Sequence, residues 1–296
     1  MANLRSEITM KLLRAQFSGW SEGPISEQRA RQEKTARIFR LPKQIQCQKV
    51  IAHGVPSEWI KSPDSSSGII LYVHGGAYVL GSVNSHRELI ARLVMASKCN
   101  SLAINYRLAP ENPFPAALED MIAAYRWLLE EGIDASRIVF AGDSAGGGLA
   151  IAALIALRDA GIPLPAGAVC LSPWLDLALS GRSIANNAKL DPILSSKILE
   201  GYANYYTGTQ ETTHPLISPL YADLKGLPPI SIHVGTNEIL LDDSIRFSKQ
   251  AQQAGVDINL EIWDEMFHVF QLFSFLPKTP KCMEQISAFI SRVHRA

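Results

Sequence analysis

Two hydrophobic rhythms alternate along the chain. Short runs rich in β-branched residues recur at 47–52, 58–61, 68–73, 101–105, 138–141, 168–171, 230–234 and 258–263, and they read as strands. Between them, apolar positions three and four apart predict helices over 86–97, 116–129, 242–254 and 282–293, and another from about Ala145 to Gly161. Several strands are apolar throughout, as expected of a mainly parallel sheet covered by helices on both faces, an α/β fold. The rhythm is absent at two places. Leu4, Ile8, Leu12, Leu13 and Phe17 predict an amphipathic helix at the N-terminus; Gly23-Pro24 breaks it, and Ser26 caps a second, polar helix running to about Phe39. From 180 to 220 the pattern lapses again, around Tyr202, Tyr205, Tyr206 and one helical piece near 194–206. The organisation expected is N-terminal helices over 1–45, core over 46–179, an insertion over 180–220 and core again over 221–296. The two irregular parts would form a helical cap over the carboxyl ends of the strands, the edge where open α/β sheets bind ligands.

Composition narrows the classes. The 296 residues suit one large α/β domain with an insertion. Lys plus Arg and Asp plus Glu are equal at 28 each, which argues against a nucleic-acid or anionic-lipid surface. The longest apolar run, 149–157, is too short to span a bilayer, and residues 1–20 lack the apolar centre of a signal peptide. Four cysteines (Cys47, Cys99, Cys170, Cys282) lie scattered without a C-x-x-C pair, suggesting free thiols in the cytoplasm rather than a disulfide frame or zinc site.

Chemistry enters at Gly142-Asp143-Ser144-Ala145-Gly146, a G-x-S-x-G pattern between a β-branched strand and an apolar helix. A serine pushed out of so tight a turn needs small neighbours two residues either side, and the helix behind it aims N–H groups at charge forming near Ser144. A serine hydroxyl attacks only when a base takes its proton and a third group holds that base. His268 follows the strand at 258–263, where the base belongs; His233 lies within an apolar strand, His294 in the last turn of the final helix, and His53 and His86 read as surface or loop residues. The loop after the strand at 230–234 offers Glu238, Asp242 and Asp243 as the acid. The two aspartates also suit a helix's first turn, so position favours Glu238. His74-Gly75-Gly76-Ala77-Tyr78 directly follows the strand at 68–73, and its glycines let main-chain N–H groups face a cleft as an oxyanion loop.

The chain resembles the hormone-sensitive-lipase-like bacterial esterases of the α/β-hydrolase superfamily. The likeness spans about 45–296 and rests on His74-Gly-Gly-Ala-Tyr, Tyr106-Arg-Leu-Ala-Pro-Glu-Asn-Pro-Phe-Pro-Ala-Ala, Gly142-Asp-Ser-Ala-Gly-Gly, Ser172-Pro-Trp-Leu-Asp and Gly226-Leu-Pro-Pro. The resemblance implies hydrolysis of short-chain carboxylic esters through an acyl-enzyme, without a cofactor or metal. It implies Ser144 as nucleophile, His268 as base, and an oxyanion hole from the N–H groups of Gly75, Gly76 and Ala145. Soluble, often dimeric enzymes are expected. Two positions depart from the pattern. Ala77 stands where a third glycine is usual, and Glu238-Ile-Leu fills a motif that usually begins with aspartate. An amidase or peptidase would share the acyl chemistry, and a ligand-binding receptor would share the fold; receptors of this kind usually have the serine or histidine replaced, and both are present here.

Overall fold

In the computed structural model, residue 19 and residues 22–36, 40–65 and 68–295 are described. The expected helix over 4–17 lies outside them. Eight strands form one sheet: β1 (Gln46–Ala52), β2 (Val55–Lys61), β3 (Ile69–Val73), β4 (Asn100–Ile104), β5 (Ile138–Asp143), β6 (Gly167–Leu171), β7 (Ile230–Gly235) and β8 (Ile258–Trp263). Their order is β1-β2-β4-β3-β5-β6-β7-β8. Only β2 runs against its neighbours; β4, β3, β5, β6, β7 and β8 pair in parallel.

Successive strand side chains point to opposite faces, so one sheet has two cores. Leu71, Val73, Leu102, Ile104, Ile138, Phe140, Ala168 and Cys170 pack with α3 (Ala116–Glu130), α4 (Ala145–Asp159) and α7 (Leu241–Gln253). Ile70, Tyr72, Ala103, Val139, Ala141, Val169 and Leu171 pack with α2 (Val83–Ser97) and α8 (Lys278–Val293). The α2 helix begins three residues before its apolar period because Ser82 and Ser85 form a reciprocal capping box.

The two irregular regions meet above the carboxyl ends of the strands. The α1 helix (Ile25–Ala36) is polar yet mostly half-buried, and its side chains fasten it to the core. Arg29 donates to the carbonyls of Val79 (2.8 Å) and Ala109 (2.7 Å), Gln32 accepts from Gly81 N (2.8 Å), and Glu33 accepts from Ser82 Oγ and Asn84 Nδ2. The region from 180 to 220 contains the single turn α5 (Ser183–Asn186) and the longer α6 (Ser196–Thr207), from which Tyr202 donates its hydroxyl to Gln28 on α1. Among the described residues no helix is long and apolar enough to cross a membrane.

Candidate active site

The turn after β5 carries Ser144 at φ 53° and ψ −122°, a conformation that costs any side chain and aims this one away from the sheet. The flanking glycines are sterically required. A Cβ on Gly146 would stand 2.1 Å from the Val73 carbonyl oxygen, and one on Gly142 would stand 2.5 Å from the Gly146 backbone. Ser144 N donates to Leu171 O at 2.8 Å, which pins the turn to the end of β6.

His268 follows β8 and lies 2.9 Å through Nε2 from Ser144 Oγ and 2.9 Å through Nδ1 from Glu238 Oε2. A carboxylate only accepts, so Nδ1 carries the proton and Nε2 is left to accept from the serine hydroxyl. Glu238 is wholly buried, while His268 and Ser144, 5% and 8% exposed, both border the cavity. Burial opposes a charged imidazole, but the Glu238 hydrogen bond and charge, with Asp191 and Asp143 behind, outweigh it and hold His268 above its ordinary pKa. Asp242 and Asp243 go elsewhere: Asp242 accepts from Ser183 N, and buried Asp243 accepts from the amides of Leu175 and Asp176, both at 3.0 Å.

Ser172, just after β6, opened a motif quoted for the resemblance but was given no role there. It sits at φ 46°, donates from Oγ to Glu238 Oε1 (2.9 Å) and accepts from Val269 N (3.1 Å), so one hydroxyl ties the acid to the histidine loop. Gly235 N supplies a second hydrogen bond to the same Glu238 oxygen.

The oxyanion loop corrects one expectation. Gly75 N donates to Asp143 Oδ1 at 3.1 Å, so this amide is already engaged by a buried carboxylate. The N–H groups of Gly76, Ala77 and Ala145 have no acceptor among the described residues, and Gly76 and Ala77 border the cavity beside Ser144. Gly76 (φ 115°) and Ala77 (φ 54°) both take positive φ.

Asp143 itself is a hub. It accepts from the Tyr72 hydroxyl (2.6 Å) and His86 Nε2 (3.1 Å) as well as from Gly75. Burial alone would raise its pKa; the His86 charge and hydrogen bond and the Tyr72 bond hold it below the usual carboxylate range. His86 is therefore a buried partner of the oxyanion loop and not a surface or loop residue. The available clue was a carboxylate on an otherwise apolar strand, which must find a partner. His74, stacked 4.4 Å from Tyr106, bonds the Gly75 carbonyl oxygen and is driven down to about 3 by burial, so it stays neutral. His233 is buried against Trp263 and Cys282, and His294 is half-buried beside Cys99. No group of three or more His, Cys, Asp or Glu among the described residues is placed to hold a metal.

Ser144 opens into a cavity of about 230 Å³, walled by Ala77, Leu80, Leu89, Ile198, Leu199 and Phe273, with Gln32 and Tyr202 reaching in from the irregular regions. A serine, a histidine and a carboxylate on the loops after β5, β8 and β7 of a mostly parallel sheet are the constellation of an α/β hydrolase. The sequence profile described as alpha/beta hydrolase fold matches residues 70–272. An acetyl-hydrolase of Streptomyces hygroscopicus is 46% identical over 79% of this chain and 79% of its own. The crystal structure of an esterase from the bacterial hormone-sensitive lipase family superposes with a TM-score of 0.94 at 42% identity, covering 99% of this chain and 100% of that one. EstE5, crystallised and soaked with p-nitrophenyl butyrate, gives a TM-score of 0.94 at 41% identity over 100% of both chains. The chain belongs to the α/β-hydrolase-fold family, within its hormone-sensitive-lipase-like group.

Proposed function

We propose that this protein is a serine carboxylesterase acting on short-chain esters, with Ser144, His268 and Glu238 as its triad. The observation that carries the reading is the unbroken hydrogen-bond chain from Glu238 through His268 to Ser144 at the floor of an apolar cavity. His268 Nε2 takes the proton as Ser144 Oγ attacks the ester carbonyl. The amides of Gly76, Ala77 and Ala145 receive the negative oxygen, helped by the positive end of α4. The imidazolium then gives its proton to the departing alcohol, leaving an acyl group on Ser144. Water repeats the sequence: His268 removes its proton, the acid is released, and the serine is regenerated.

Size supports a small acyl group, since about 230 Å³ falls below the roughly 300–1,000 Å³ usual for drug-sized ligands. The EstE5 soak with a butyrate ester supports the same class. In this reading α1 and the 180–220 insertion are the cap, supported by Gln32, Ile198 and Tyr202 in the cavity wall. Cytoplasmic residence, supported by four cysteines scattered along the chain without a C-x-x-C pair, and a homodimer, supported by the place of β8 at the end of the sheet among the described residues with Ile262 47% exposed, complete it.

Purified protein and Ser144→Ala are compared on p-nitrophenyl esters of increasing acyl length. Acyl chains of about four to six carbons are expected to outrun those beyond about ten. The alanine variant is expected to lose on the order of a millionfold. Near-normal turnover by a clean Ser144→Ala preparation would end the serine reading.

A further inference from the structure

The loop that carries Glu238 has an unusual problem. It follows β7, it has no regular structure until α7, and Glu238, Ile239 and Leu240 are all fully buried. Buried main-chain groups need partners, and a loop lacking them would not hold one position. On one side the partners come from the histidine segment, with Thr236 N on Trp263 O (3.0 Å) and Asn237 N on Met266 O (2.8 Å). On the other side they come from side chains of the insertion.

Asn187 Nδ2 donates to the carbonyls of Thr236 (3.1 Å) and Glu238 (2.9 Å). Asp191 Oδ2 accepts from Ile239 N at 3.0 Å, while its Oδ1 accepts from the amides of Ile193 and Leu194, both at 2.9 Å. Ser183 Oγ donates to Ile239 O (2.6 Å) and accepts from Asp242 N (3.0 Å). The three residues recur every fourth position and are buried. Their contacts bracket Glu238 from both directions along the main chain.

We propose that Ser183, Asn187 and Asp191 are positioning residues: a clamp from the insertion that fixes the main chain of the acid loop and so sets the reach of Glu238 to His268. The inference rests on the triad reading above. A glutamate has one more rotatable bond than the aspartate common at this position, so its carboxylate is held in place only if its backbone is held first. The insertion thus has two separable duties. Residues 183–191 serve the acid, and the stretch from Ile193 to Tyr202 serves the cavity.

Those duties predict different kinetics, because clamp residues touch no substrate. Asn187→Ala, Asp191→Asn and Ser183→Ala are compared with Glu200→Gln, an exposed change on α6, using p-nitrophenyl butyrate from pH 5 to 10. Folding is checked by circular dichroism and urea unfolding. Asn187→Ala and Asp191→Asn are expected to lower kcat about ten- to a hundredfold with KM within about twofold. Glu200→Gln is expected to match the parent. The anions acting on His268 are Glu238, Asp191 and Asp143. Removing the Asp191 charge therefore shifts the acid limb of the pH profile downward. Loss of folding strength alone would not move that midpoint. Parental kcat and midpoint in folded Asn187→Ala and Asp191→Asn overturn the clamp, as does a rise in KM at unchanged kcat. If Asn187→Ala does not fold, Asp191→Asn and Ser183→Ala decide. An active Ser144→Ala would instead sink the triad, whereas an inactive one alongside parental clamp variants sinks the clamp alone.

Discussion

Replacing Glu238 by glutamine tests the acid more sharply than truncating it, because the surroundings dictate which way the amide points. Gly235 N and Ser172 Oγ both aim at Oε1. An amide N–H can only donate, so glutamine must set its carbonyl oxygen there and turn its NH₂ toward His268 Nδ1. The imidazole then carries its proton on Nε2, which points at Ser144 from 2.9 Å and cannot take the serine's proton. The imidazolium of the attack also loses its countercharge. Loss on the order of ten-thousandfold in kcat is expected, as when another triad acid is made an amide. That factor corresponds to about 5.5 kcal/mol of barrier. The fold should survive, since the amide is isosteric and removes a buried charge. Glu238→Asp is the companion: it withdraws the carboxylate by about one C–C bond, roughly 1.5 Å, beyond hydrogen-bond reach of His268. An intermediate loss is expected. The assay is kcat and KM on p-nitrophenyl butyrate with near- and far-UV circular dichroism on each variant. Folded Glu238→Gln retaining more than about a tenth of parental kcat would refute the tautomer argument.

His268 must be neutral to act as base, and its folded pKa is held above the ordinary value of about 6.5, so the acid limb of kcat/KM should have its midpoint above that value. A midpoint below 6.5 in the pH–rate profile contradicts this. Ala77→Gly removes a methyl at φ 54° in the cavity wall. Relief of the left-handed backbone offsets the entropy of a new glycine, so stability should move by no more than about 1 kcal/mol while relative rates on secondary and tertiary alcohol esters rise. Unchanged relative rates would remove the methyl from the account. Asp243 is pushed up to about 8 by burial and then by the Asp176 charge, so the protonated form is favoured in the fold. Its stabilising contribution is complete below the unfolded value near 4 and declines as pH rises to about 8. Asp243→Asn should therefore gain on the parent between pH 5 and 9 in thermal unfolding, and a constant difference across that range would count against the argument.

The sheet was readable because its central strands are buried on both faces, and β8 begins and ends where its pattern does. Helix starts were less so. Ser82 and Ser85 open α2 with polar groups that an apolar period cannot register, and α8 begins at Lys278, four residues before its first predicted position. At the site, the G-x-S-x-G turn led to Ser144 and position after the last two strands led to Glu238 and His268, and the fold brings the three into one hydrogen-bond chain. Gly75 misled because a run of small residues does not reveal which amide is already bonded. His86 was missed because its partner, Asp143, is 57 residues away and nothing local marks the pair. Asn187 and Asp191 lay in the stretch with least pattern, where buried side chains meet main chain rather than each other.

The fastening of α1 has a consequence for the order of biosynthesis. Arg29, Gln32 and Glu33 bond residues 49 to 82 positions later in the chain, and Gln28 meets Tyr202, 174 positions later. A helix this polar buries almost nothing by itself, so it gains little from folding before those partners exist. On the ribosome it emerges well ahead of them and must wait, unshielded, until the insertion has been translated. The wall of the ester cavity to which Gln32 belongs is thus synthesised before the partners that seat it, and is seated only when they have followed.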